Sequence, residues 1–217
     1  MAKKKYITQD KIIDWYMNSV LITGKPTSVF SFAKENNFEE SDFYSHYSNF
    51  ESLEKSIFKI FVEETIQLLH STEAYQEYSS KDKLLSFYFT FFEFLAANRS
   101  YVLFSFKEIK SNFSKVTVLK EMRSEFINFV HSINIETLDF KNDKINKIQD
   151  NTIAEGYWLQ LLMVLKFWIE DTSSNFEKTD VFIEKSIKAS FDIQQIAPIK
   201  SVIDLAKFLW KEKGTSI

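Results

Sequence analysis

The chain has 217 residues, 45% of them hydrophobic and 26% charged, with a formal net charge of −3, which suits one large globular domain or a small head on a larger body. It has no Cys, three Gly and two Pro, which excludes disulfides and thiolate metal sites and favours long helices over hairpins. Lys3-Lys4-Lys5 leads into polar Thr8-Gln9-Asp10-Lys11 without an apolar signal core, and the apolar run Tyr157 to Ile169 is interrupted by Gln160 and Lys166, so a soluble, cytoplasmic protein without a membrane span is expected.

The first predicted helix runs from about Thr8 to Thr23, with Ile12, Trp15, Tyr16, Val20 and Ile22 in one stripe, and Gly24 and Pro26 end it. Thr27 is the predicted N-cap of a short helix that buries Val29, Phe30, Phe32 and Ala33. Asn36-Asn37 then makes a turn, because Asn tolerates left-handed backbone angles, and Phe38 plugs the corner. Glu39-Glu40-Ser41-Asp42 opens a further helix carrying Phe43, Tyr44 and Tyr47, with acids placed favourably at its positive end. Ser48 or Asn49 caps a longer helix that reaches about His70.

The polar stretch Tyr75 to Ser80 reads as the seam between head and body, with Ser80 as the next cap. A helix to about Asn98 follows, then one or two short helices over Ser100 to Phe113, and another from Thr117 to about Ile135. Thr137 to Asn151 reads as polar loop. The segment from about Thr152 to Asp171 is apolar on nearly every side and must be covered on every side, by a core or by a partner. A helix beginning near Asp180 and an amphipathic segment after Pro198 close the chain.

The head has the layout of a helix-turn-helix unit, whose second helix enters the major groove of DNA. Its charge opposes that use: from Met1 to Phe50, Lys3, Lys4, Lys5, Lys11, Lys25 and Lys34 are balanced by Asp10, Asp14, Glu35, Glu39, Glu40 and Asp42. There is no phosphate-binding Gly loop, no Gly-x-Ser-x-Gly and no His-Glu-x-x-His, and His46, His70 and His131 are scattered. No enzyme activity, cofactor or metal is expected.

Thr27, Phe32-Ala33, Phe43-Tyr44, His46-Tyr47, Glu51 and Leu53 together resemble the head of the TetR family of bacterial regulators, over about Lys11 to Phe61. The resemblance implies an all-α fold of nine to ten helices, with a DNA-binding head at residues 1–53, a helix to about 70 connecting it to the body, and an effector-binding and dimerisation body at 54–217. It further implies DNA contacts from Thr27, Ser41, Asp42, Tyr44, Ser45 and His46, with Lys3, Lys4 and Lys5 as an arm and Lys25 near the backbone. Two departures stand out. Asn36-Asn37-Phe38-Glu39 replaces the family's Ala-Gly-Val-Ser, and Phe50 stands where a phosphate-contacting Lys is common.

The body resembles the family in helical layout alone. Phe87, Phe91, Phe94, Phe104, Met122, Arg123, Phe126, His131, Trp158 and Met163 are the candidate pocket residues, against the alternative that the aromatics fill a dry core. Trp158, Leu162, Leu165, Trp168, Ile183, Ile187 and Phe191 are the candidate dimer interface. The implied function is a homodimeric regulator of operator DNA, a repressor released by a small apolar effector. The alternative is a TetR-fold carrier of a lipid or other hydrophobic ligand, without a DNA role.

Overall fold

The computed structural model describes residues 7–111, 117–137 and 141–195. These residues form nine α-helices and no strand: α1 (Gln9–Ile22), α2 (Val29–Glu35), α3 (Glu40–Tyr44), α4 (Phe50–His70), α5 (Ser80–Ala97), α6 (Arg99–Ser111), α7 (Lys120–Ser132), α8 (Asp143–Glu170) and α9 (Glu177–Gln195). No helix among the described residues is long and apolar enough to cross a membrane. Lys3, Lys4, Lys5 and the segment after Pro198 lie outside the described residues. The chain divides into two compact units, one of Met1–Glu73 with Thr90–Phe129, the other of Ala74–Phe89 with Val130–Ile217.

In the first unit, helix ends follow local hydrogen-bond chemistry. Thr8 caps α1 by accepting the Lys11 N–H at 3.4 Å, and Asn49 caps α4 by accepting the Ser52 N–H at 2.8 Å. The cap of α2 is Ser28, not Thr27: Ser28 Oγ accepts the Ser31 N–H at 3.1 Å, and the Ser28 N–H donates back to Ser31 Oγ at 3.3 Å. Asn37, with φ 55°, is the left-handed residue of the α2–α3 turn.

Rings fill the corner between these helices. Phe38 stacks on Trp15 with centroids 5.3 Å apart and meets Phe32 edge-on at 5.5 Å. Phe32, Phe43 and Tyr16 are wholly buried. Phe30, expected inside, is 58% exposed, because the helical period turns it away from Phe32 and Ala33. α1 packs against α6, and Phe58 of α4 meets Tyr101 and Phe106 of α6 at 6.3 and 5.9 Å.

In the second unit, the cap before α5 is Ser79, whose Oγ accepts the Asp82 N–H at 3.2 Å. Ser80 instead donates its hydroxyl to the Ile133 carbonyl at 2.8 Å. The α8 helix starts at Asp143, well before the apolar run. Asn142 launches it by accepting the Lys144 N–H at 3.1 Å, and Asp143, Lys144 and Lys147 of its first turns are exposed, so the start carries little hydrophobic signal. On α8, Ala154, Tyr157, Trp158, Leu161, Val164, Leu165 and Trp168 are buried. The buried Tyr88 hydroxyl donates to the Tyr157 carbonyl at 3.3 Å, and burial together with Tyr157 holds its pKa well above the ordinary value.

The turn from α8 to α9 is organised by one carboxylate. Asp171 accepts the Ser173 N–H and hydroxyl at 2.8 and 2.7 Å, and the Thr179 N–H and hydroxyl at 3.0 and 2.7 Å. Desolvation works to raise its pKa, but these donors outweigh it and hold the carboxyl well below the usual range. Asn175 and Phe176 take left-handed φ of 50° and 60° inside that turn, which α9 follows at Glu177, earlier than Asp180.

Candidate nucleic-acid interface and ligand region

Helix α3 is five residues long, and its period sends Phe43 inward while Ser41, Tyr44 and Ser45 face solvent. Tyr44 is 53% exposed, and its hydroxyl donates to Glu40 Oε1 at 3.4 Å. Asp42 is half-buried and turned to the helix start, accepting the Glu39 N–H at 3.4 Å. That bond gives the acid a structural reason to sit in the first turn. Ser45 donates to the Asp42 carbonyl at 2.7 Å. Thr27 is exposed, 3.2 Å from Ser31 Oγ. His46 is half-buried, its Nε2 2.9 Å from the Ile7 carbonyl, an arrangement that suits the N–H tautomer at that nitrogen.

Lys25 is held by a carboxylate. Its Nζ lies 2.5 Å from Glu54 Oε1 of α4, and the Tyr16 hydroxyl donates to the same oxygen at 2.5 Å. Glu54 is 8% exposed. Sequence reasoning passed over it, although its position on the inner stripe with Leu53, Ile57, Phe58 and Phe61 was a usable signal, since a lone acid at an inward position needs a partner. Lys55 and Lys59 of the same helix pair with Glu51 at 2.6 Å and Glu63 at 3.0 Å. Phe50 is half-buried among rings, its centroid 5.3 Å from Tyr16, 5.7 Å from Phe32 and 5.4 Å from Phe43. The departure from Lys at this position therefore serves the aromatic core.

The candidate pocket residues separate by environment. Phe91, Met122 and Phe126 in the first unit and Phe87 in the second are wholly buried, while Phe94 and Phe104 are half-buried. Trp158 is 7% exposed. Met163 is 57% exposed and Arg123 is exposed as well, so neither lines an enclosed cavity; the helical period turns both outward. One described cavity, of about 260 Å³, lies in the second unit between the end of α7 and the first half of α8. Val130, His131, Asn134, Ile135, Thr137, Asp150 and Ile153 line it, and Thr137 donates to Asp150 Oδ1 at 3.2 Å. Of the pocket candidates, His131 is on this lining.

The candidate dimer residues differ in exposure. Trp158, Leu165, Trp168, Ile183 and Ile187 are buried within their own chain, and Leu162 and Phe191 are half-buried. A second apolar face of α8 is exposed. Leu159, Met163 and Phe167 recur every four residues on α8 at 60%, 57% and 38% exposure, and Phe167 lies against Phe182 of α9 with centroids 4.8 Å apart. Ile193 of α9 is also exposed. Hydrophobicity marked both faces of α8 alike, and tertiary packing decided which was covered.

The family model described as tetracyclin repressor-like, C-terminal domain, matches residues 83–209. The match spans more than half of the chain, and the chain belongs to this TetR family of regulators. Helices α1 to α4 precede the matched range. Among curated proteins none matches the chain.

Proposed function

We propose that the chain is a homodimeric DNA-binding transcriptional regulator, whose two heads meet successive major grooves of a palindromic operator. The observation that carries this reading is the α2–turn–α3 unit. Asn37 is left-handed, Phe43 is anchored in the core, and Ser41, Tyr44 and Ser45 face outward from α3. Family membership supports the same reading. Pairing of two chains through Leu159, Met163, Phe167 and Ile193 would cover an apolar face that a solitary chain leaves in water. A small effector in the helical body would act by population shift, favouring a head separation that no longer matches the grooves. Repression is the proposed mode, and effector binding releases it.

A second reading, a TetR-fold carrier of an apolar ligand without a DNA role, is favoured by the charge of the head. Glu39 is exposed, and Lys25 is held by Glu54. The two readings separate in a gel-shift titration with the chain's own upstream DNA over a range of salt. The regulator reading expects a shift that weakens as salt rises and is lost in a folded Tyr44→Ala variant. Failure to bind any genomic fragment at low salt overturns it.

A further inference from the structure

The group Lys25, Glu54 and Tyr16 ties two parts of the head and the helix that leaves it to one oxygen atom. Lys25 lies between α1 and α2, Glu54 on α4 and Tyr16 on α1. The ammonium and the phenol both reach Glu54 Oε1 at 2.5 Å. The carboxylate is nearly removed from solvent, whereas the Lys25 side chain keeps 30% of its surface accessible. A buried carboxylate with a partly exposed cation in front of it presents little net field outward, so that cation is poorly available to an external anion.

We propose that Glu54 is a charge brake on nucleic-acid binding: DNA phosphate must compete with it for Lys25, so α4 sets how much positive charge the head can offer. This rests on the DNA-binding reading. A displacement of α4 that lengthens the Lys25–Glu54 contact frees one cation per head, and one that shortens it withdraws that cation. Lys25 thereby connects the long helix leaving the head to affinity, without any change in α3.

The test measures binding of the full-length protein to a mixed-sequence DNA duplex across a salt series, by fluorescence anisotropy. Glu54→Gln retains an acceptor for the Tyr16 hydroxyl but gives up the charge. The expected result is tighter binding at low salt and a log K against log salt plot steeper by about 0.9 per engaged head, the increment of one added phosphate contact. In Glu54→Gln with Lys25→Met both gains should vanish. A gain that persists without Lys25 overturns the brake, since it would then reflect loss of a negative charge in general. Glu54→Asp, which keeps the charge on a shorter arm, should fall between wild type and Glu54→Gln, and it serves if the Gln variant does not fold. Wild-type binding with an unchanged slope in Glu54→Gln and Glu54→Asp overturns the brake alone. No binding by wild type or any variant at low salt removes the DNA-binding reading and the brake with it.

Discussion

The ring of Phe50 lies over that of Tyr16, centroids 5.3 Å apart and planes 25° from parallel. The same ring meets Phe32 and Phe43 edge-on, the geometry favoured by aromatic quadrupoles. Restoring a cation there should therefore cost stability. Phe50→Lys is expected to destabilise the protein by about 2 kcal/mol, below the 3–5 typical of removing a fully buried Phe because Phe50 is half-buried. Urea denaturation of the two proteins measures this, and equal stabilities would show that the ring packing contributes little.

Tyr44 offers the opposite case. Its side chain is 53% exposed, so Tyr44→Ala should alter stability by no more than about 0.5 kcal/mol while weakening binding of upstream DNA. A thermal melt beside a gel-shift titration reads both quantities. A large fall in melting temperature would mean that the phenol supports the fold and not the interface.

Asn37 adopts φ 55° in the turn before α3. Asn37→Val should destabilise by roughly 1–2 kcal/mol, since a β-branched side chain crowds the left-handed backbone. Asn37→Gly should be neutral or mildly stabilising. Equal stability of the Val and Gly variants in denaturant would contradict the left-handed assignment.

On α8 the two faces predict different phenotypes. Met163→Glu, on the exposed stripe, should leave the melting transition of the subunit close to wild type but shift sedimentation toward monomer. Trp168→Ala, at 1% exposure, should destabilise the fold by about 3–5 kcal/mol. A Met163→Glu protein that still sediments as a dimer would place the interface elsewhere.

Asp171 makes stability depend on acid. Its native pKa lies below the ordinary value because Ser173 and Thr179 donate to the charged form, so the unfolded chain takes up the proton first. The contribution is present in full above the ordinary carboxylate pKa of about 4 and is lost as pH falls through the native value. Asp171→Asn should melt below wild type at neutral pH, and the gap should narrow as the solution is acidified from about pH 5. A gap independent of pH would assign the effect to packing.

Much of the head was legible in the residue order. Thr8, Asn49 and the Asn36-Asn37 turn are local devices that satisfy or reverse the backbone within a few residues, and each lies where side-chain chemistry demanded it. Thr27 and Ser80 misled because neighbouring hydroxyls compete for one cap, and at α2 it is Ser28 that closes the capping box with Ser31. The polar start of α8 was not legible, since Asp143 to Asn151 is mostly polar, with Ile145 and Ile148 its only large apolar residues, and Asn142 gives a weak start signal.

By itself the amino-acid order determined the helical class, the short helices around the Asn36-Asn37 turn and the balance of charge over Met1 to Phe50, because caps, period and composition act over one or two turns. Only the tertiary structure decided that Glu54 takes hold of Lys25, that Phe50 belongs to a ring cluster, and that α8 buries Trp158 and Trp168 while exposing Leu159 and Met163. Those outcomes depend on groups far apart in the chain, such as Tyr16 and Glu54, whose burial and charge acquire meaning only once packing brings them into contact.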